Sequence, residues 1–533
     1  MKEKRAKSAN SKINRDGVTA GTDGPSGWTW GLENVYHWTV TFVAFSYIMW
    51  RFATNEEKAF LLDQMKRAFI KSPYGLEQKQ DTSNWGWLTT RYVVINTWKW
   101  HLLHPVLGRA MAYVAPSLVP VFYSAYSCLF MAFHLGWEVV LVYLGQHAAF
   151  YVAAVLRFPA LCYAVAAVIH CQKFVIPFEP ATYMYERYGL MPYRVAYVAF
   201  HWNIMRGLSF SLDFVRAQRR TAAKSRCRWP PYWKTLAFVV YIPTVYLGPP
   251  QIYDDFAIQL DKPRPSCTLR EVATAVARIL RSGAHFFLME RMAHFFYSSA
   301  MSKWPWMAER LDLYSLVGFA FSLLFFFYVR YLFTYGVAGA LARAEGIEIP
   351  PPSMCIATMY RCSHFWRYFD RGMHLWIRRY FYKPAVGHSR SACRLLFGTM
   401  VAFCFTWVWH SMHKKDAIWC ALSVLGIALE VIINELRKRP PLKNFEKHYL
   451  ASTQRMRVAK ALLGSPHFVL TMCACIFHLA EAEVCLIMCR RILTGFPFPL
   501  VFVFLGMYSG LNVALDVEEW KAAAALKQKQ ASS

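Results

Sequence analysis

The sequence predicts an all-α polytopic membrane protein, and three observations carry that prediction. Of its 533 residues, 56% are hydrophobic and only 17% charged, whereas soluble domains carry about a quarter. Apolar stretches recur along almost the whole chain, many near the ~20 residues that a helix needs to cross a bilayer. Short basic loops separate them, so Lys and Arg outnumber Asp and Glu by 60 to 32 and the net charge is +28.

That charge argues against a nucleic-acid partner, because the basic residues lie between apolar segments and not along one soluble face. Two compatible readings remain. Clusters at 216–228 and 437–447 would hold those loops in the cytosol. Excess positive charge would also attract an anionic substrate such as acyl-CoA or a phospholipid head. The 14 cysteines contain no CxxC pair, and many lie in apolar runs where a thiol behaves as a small hydrophobe.

Residues 1–27 are basic and polar and are expected to be disordered. No apolar run follows early enough for a cleavable signal peptide. A membrane-embedded domain is expected over 28–516 and a polar tail over 517–533. Within it, the first span is expected at 35–52. An amphipathic surface helix should follow, using Phe60, Leu61, Leu62, Met65, Phe69 and Ile70. Apolar material then runs through 112–133, 135–156 and 160–176. Segment 192–214 carries Arg194, Arg206 and Asp213. A charge at bilayer depth costs about 3 kcal/mol, so this segment is expected to be re-entrant or to line a cavity. Further spans are expected at 233–247, 284–297, 313–335, 395–410, 417–433, 467–488 and 498–515. The total is roughly ten to twelve membrane helices, with re-entrant and interfacial helices between them.

Three interruptions stand out. Leu247-Gly-Pro-Pro250 breaks a helix, and Asp254 or Asp255 could cap the next one. Pro350-Pro-Pro352 makes a stiff elbow. Between His364 and Gly387, Arg and Lys alternate with aromatics. Read as a helix, this stretch places Trp366, Phe369, Met373, Trp376, Ile377 and Tyr380 on one stripe, and Asp370 and His374 would hydrogen-bond across one turn. Its bland reading is an interfacial helix with snorkelling arginines. Downstream, His410 ends the apolar run Phe403-Cys-Phe-Thr-Trp-Val-Trp409. A histidine there suits general-base chemistry. His410 and His413 could instead share a metal, but no third ligand is evident in the sequence, so no metal is assigned.

The segment from Trp366 to Pro384, followed by Trp409-His410 forty residues after Asp370, resembles the membrane-bound O-acyltransferases. The likeness is closest to the branch holding hedgehog acyltransferase and the Gup proteins. It extends to Arg206-Gly-Leu-Ser-Phe-Ser-Leu-Asp213 and to Leu247-Gly-Pro-Pro with Asp255-Phe256. The resemblance implies helices around a tunnel that admits acyl-CoA from the cytosolic side and the acceptor from the other. It makes His410 the catalytic base and gives Asp370 an orienting role. Arg378, Arg379 and Lys383 would hold CoA phosphates or simply snorkel. It also implies that Cys355 could ligate haem b through its thiolate, against the plain reading of a juxtamembrane cysteine. The implied activity is transfer of a long-chain acyl group from acyl-CoA to a lipid hydroxyl, with sn-2 of a lyso-glycosylphosphatidylinositol (GPI anchor remodelling) in the endoplasmic reticulum foremost. The alternatives are protein acylation and a non-catalytic or glycerol-transport role.

Overall fold

Residues 31–175, 183–221, 229–389 and 391–531 are described by the structure, a computed structural model. The expected disordered segment 1–27 and most of the basic loop 216–228 lie outside the described residues.

Helices account for nearly all of the described chain. Seven are long and apolar enough to cross a membrane: Pro116–His134, Trp137–Leu156, Leu313–Ala344, Ala392–Trp409, Lys414–Arg437, Thr453–Leu479 and Pro499–Gln530. Four more have the length but a more polar composition, namely Leu32–Ala53, Trp85–Val114, Leu190–Thr221 and Leu269–Phe295. Leu313–Ala344 is the central element, packed by Leu32–Ala53, Leu269–Phe295, Trp85–Val114 and Thr453–Leu479. The last helix runs on through the expected tail to Ala531.

The structure departs from the sequence reading in several places, each with a local cause. Segment 192–214 is not re-entrant but lies in one continuous helix, and, as the other expectation had it, it lines a cavity, with Arg194 and Arg206 in the wall. Arg206 donates to the carbonyls of Val239 and Thr244, and Asp213 pairs with Arg379. The expected span at 233–247 is instead two short buried helices, Tyr232–Val240 and Ile242–Val245, with Pro243 in the first turn of the second. The expected surface helix stops at Gln64, and Phe69–Ile70 pairs as a strand with Gln80–Asp81. This hairpin is pinned by Glu290, which accepts from Gln80 Nε2 at 2.8 Å, Tyr74 Oη at 2.8 Å and Trp87 Nε1 at 2.7 Å. The helix after Gly-Pro-Pro begins at Tyr253, but neither Asp254 nor Asp255 caps it. The expected span at 467–488 straddles a break: one helix ends at Leu479 and a separate one runs Ala482–Thr494.

The aromatic, basic stretch is also not one helix. Cys362–Tyr368 and Arg371–Ile377 are separate helices that meet at Asp370. Asp370 is the N-cap of the second, its Oδ1 accepting from the Met373 amide at 2.9 Å. Its Oδ2 accepts from Tyr335 Oη at 2.7 Å. The carboxylate is therefore held by Met373 and Tyr335 and not by His374.

Candidate functional site

The Asp-Arg-Gly and Gly-Pro-Pro motifs meet in space. A Cβ at Gly372 would lie 2.6 Å from the Pro250 carbonyl oxygen, so only glycine lets the Arg371–Ile377 helix approach so closely. This contact fixes the helix start where Asp370 sits. Asp370 lies between spans, and burial pushes its carboxyl up to about 6.

His410 forms the C-cap of Ala392–Trp409. Ser411 and Met412 then turn with φ of 66° and 57°, leading the chain into Lys414–Arg437. That tight turn brings Asp416, in the first turn of the new helix, back beside His410. The neighbouring Thr453–Leu479 helix contributes His478 from its last turn. His478 Nδ1 lies 2.9 Å from Asp416 Oδ1. Its ring stacks on Trp419 at 4.1 Å and stands edge-on to His410 at 4.8 Å. Asp416 is 3% exposed. A buried carboxylate on one nitrogen of an imidazole fixes its tautomer and ring orientation.

Sequence reasoning did not single out His478 or Asp416. The one available signal was that His478, like His410, lies in an apolar stretch. His413, the other sequence candidate for a metal pair, is exposed at the start of the next helix. Ligand atoms of His410, Asp416 and His478 lie within 4.8 Å of one another. These three side chains could hold a metal ion, and His478, not His413, is the second histidine of that set.

Two cavities of about 250 Å³ each lie in this part of the protein, and one of them reaches the cluster. The first is largely apolar, with Val195, Trp202 and Leu247 in its wall, and reaches Tyr335, the partner of Asp370. Trp202 also packs on Trp409, next to His410. The second is polar and reaches His478. Trp85 and Arg330 line both. From Asp370 toward His410 run the rings of Phe369, Phe327 and His478, with Phe369 and Phe327 stacked at 5.1 Å and Phe327 edge-on to His478 at 5.7 Å. Of the residues bonded or packed to the two sequence-derived candidates, Tyr335, the partner of Asp370, lines the first cavity and His478, the neighbour of His410, lines the second.

The basic candidates are placed differently. Arg379 is held by Asp213, at 2.8 Å, and by Asp254. Arg378 and Lys383 are exposed. Cys355 is exposed and lines neither cavity, so its surroundings do not amount to a slot for a haem macrocycle.

Comparison with known proteins agrees with this arrangement. The family model for the membrane-bound O-acyltransferases matches residues 28–473. The chain is 28% identical over 313 residues to protein-cysteine N-palmitoyltransferase HHAT of Mus musculus, covering 57% of this chain and 62% of that protein. It is 23% identical over 393 residues to protein-cysteine N-palmitoyltransferase Rasp of Drosophila melanogaster, covering 73% and 76%. Membrane-bound O-acyltransferase GUP1 of Saccharomyces cerevisiae is 22% identical over 290 residues, covering 52% and 50%. A family-model match over most of its length establishes that this chain belongs to the membrane-bound O-acyltransferase family.

Proposed function

We propose that this protein transfers a long-chain acyl group from acyl-CoA to a lipid hydroxyl. The observation that carries the proposal is the histidine cluster at the wall of a polar cavity, beside an apolar one suited to an acyl chain. His410, helped by His478 and Asp416, takes the proton as the acceptor oxygen attacks the thioester carbonyl. The C–S bond then breaks, and the proton passes to the CoA sulfur. Asp370, fixed by Tyr335 and the Met373 amide, acts as a positioning residue at the apolar cavity.

The leading acceptor is the sn-2 hydroxyl of a lyso-glycosylphosphatidylinositol, with the endoplasmic reticulum membrane as the site of action. A second reading is protein N-terminal acylation, favoured by the names of the mouse and fly relatives. Labelled acyl-CoA supplied to the purified protein with either a lyso-anchor lipid or an N-terminal-cysteine peptide distinguishes the two. Label in the lipid supports the leading reading, and label only in the peptide replaces it with the second.

A further inference from the structure

Arg330 lies midway along the Leu313–Ala344 span, where an arginine is costly unless it is paired or faces water. Other buried charges in this protein have partners. Arg206 has two carbonyls, Asp213 has Arg379, and Glu290 has four donors. Arg330 is different: among the described residues no carboxylate pairs with it. Its neighbours are the rings of Phe327 at 5.2 Å and Tyr331 at 5.8 Å, and it stands in the wall of both cavities. Space for it is provided by Gly86, where any Cβ would overlap the guanidinium.

The polar cavity around it suits an anion. Lys303 adds a second cation to the lining. Ser299 Oγ accepts from Asn84 at 3.2 Å, which leaves its own proton to donate. Two acids lie behind this wall: Asp81, near Lys303, accepts from the backbone amides of Ser83 at 2.8 Å and Ala300 at 2.9 Å, and Asp416 is engaged by His478 at 2.9 Å. Two cations and a hydroxyl donor with no competing carboxylate in the lining complement a phosphate.

The source of that phosphate follows from bond counting. Phe327 touches both Arg330 and His478, so the arginine lies close to the reacting centre. In CoA the whole pantetheine arm separates the thioester from the pyrophosphate. In a lyso-glycerophospholipid only a few bonds separate the free hydroxyl from the phosphate. We propose that the polar cavity is the acceptor site and binds a lyso-glycerophospholipid, with Arg330 and Lys303 holding the phosphate so that the hydroxyl faces His478 and His410. This deepens the acyltransferase reading and rests on it.

The test compares lysophosphatidylinositol with uncharged monoacylglycerol as acceptors for the full-length protein in nanodiscs. In Arg330→Gln the kcat/KM preference for the phosphate-bearing acceptor should fall about tenfold or more, and Arg330→Lys should restore part of it. Gly86→Val, which displaces the guanidinium without removing it, should reproduce the loss. A rise in KM for acyl-CoA in place of that loss would assign the arginine to the donor and overturn the proposal. So would equal loss for both acceptors. Binding of spin-labelled lysophosphatidylinositol, read without turnover, separates the two levels. Binding that depends on Arg330 without any transfer would sink the acyltransferase reading alone. Binding equal in wild type and Arg330→Gln would sink the phosphate site.

Discussion

The His478 ring stands 4.8 Å from that of His410, with their planes at 77°. His478 Nδ1 pairs with the Asp416 carboxylate, and His478 stands in the wall of the polar cavity. His410 is therefore one member of a unit in which a second imidazole, oriented by an acid, faces the acceptor side.

That unit makes a kinetic prediction. His410→Ala and His478→Ala should each lower kcat about 10²- to 10⁴-fold, the range for losing a general base. The double variant should cost little more than either single one, as expected for residues acting together. Asp416→Asn should cost about 10- to 100-fold, the size of losses when an orienting partner of an imidazole is removed. Steady-state kinetics on purified protein measures all four. Wild-type turnover in His478→Ala would reduce the cluster to His410 alone.

Asp370 holds a helix cap and a tyrosine at once, and the two roles separate by substitution. Asp370→Ala should lose about 1 kcal/mol from the cap and leave the buried Tyr335 hydroxyl without its acceptor. Asp370→Asn keeps an oxygen for the Met373 amide and should retain most of the stability. Thermal unfolding followed by tryptophan fluorescence reads this difference. Loss of acyl transfer in the stable Asn variant would show that the carboxylate itself is needed.

Arg379 gives a test that discriminates between a structural and a donor-binding role. It holds Asp213, whose side chain is fully buried, together with Asp254. Arg379→Ala should destabilise the fold by about 3–5 kcal/mol, the cost of leaving a buried charge without its partner. A cation serving only to hold CoA would raise the KM for acyl-CoA and leave the unfolding midpoint in place. Measuring both quantities on the one variant decides.

How far the sequence spoke for itself depended on how local each feature is. The Ala392–Trp409 and Lys414–Arg437 spans followed from hydropathy, because crossing a bilayer is a property of one segment. The broken helix at Asp370 did not, because periodicity continues through the break. What makes the break is the cap that starts the second helix and the approach of Pro250 to it, and the latter lies more than a hundred residues upstream. His478 escaped notice for a related reason. Its apolar run continues into Ala482–Thr494, so a hydropathy reading carries one span through the end of the helix. His410 and Asp370 were readable as motif residues, whereas the Asp416–His478 pair exists only once two helices pack.

The packing of Gly372 on Pro250 supplies the last prediction. The atoms that a new Cβ would meet are the Pro250 carbonyl oxygen at 2.6 Å and Pro249 Cβ at 2.7 Å. Neither is the end of a flexible side chain that could swing away. Gly372→Ala must therefore push the Arg371–Ile377 helix off the Gly-Pro-Pro segment, and Asp370, as its N-cap, moves with it. Overpacking of this kind costs about 1–3 kcal/mol, so the unfolding midpoint should drop and acyl transfer should fall with it. Gly145 lies inside the Trp137–Leu156 helix with nothing within 4 Å of a new Cβ. Gly145→Ala should be neutral or stabilising by up to about 1 kcal/mol, from helix propensity alone. If both variants unfolded at the wild-type temperature with wild-type activity, the contact between the two motifs would not be what positions Asp370.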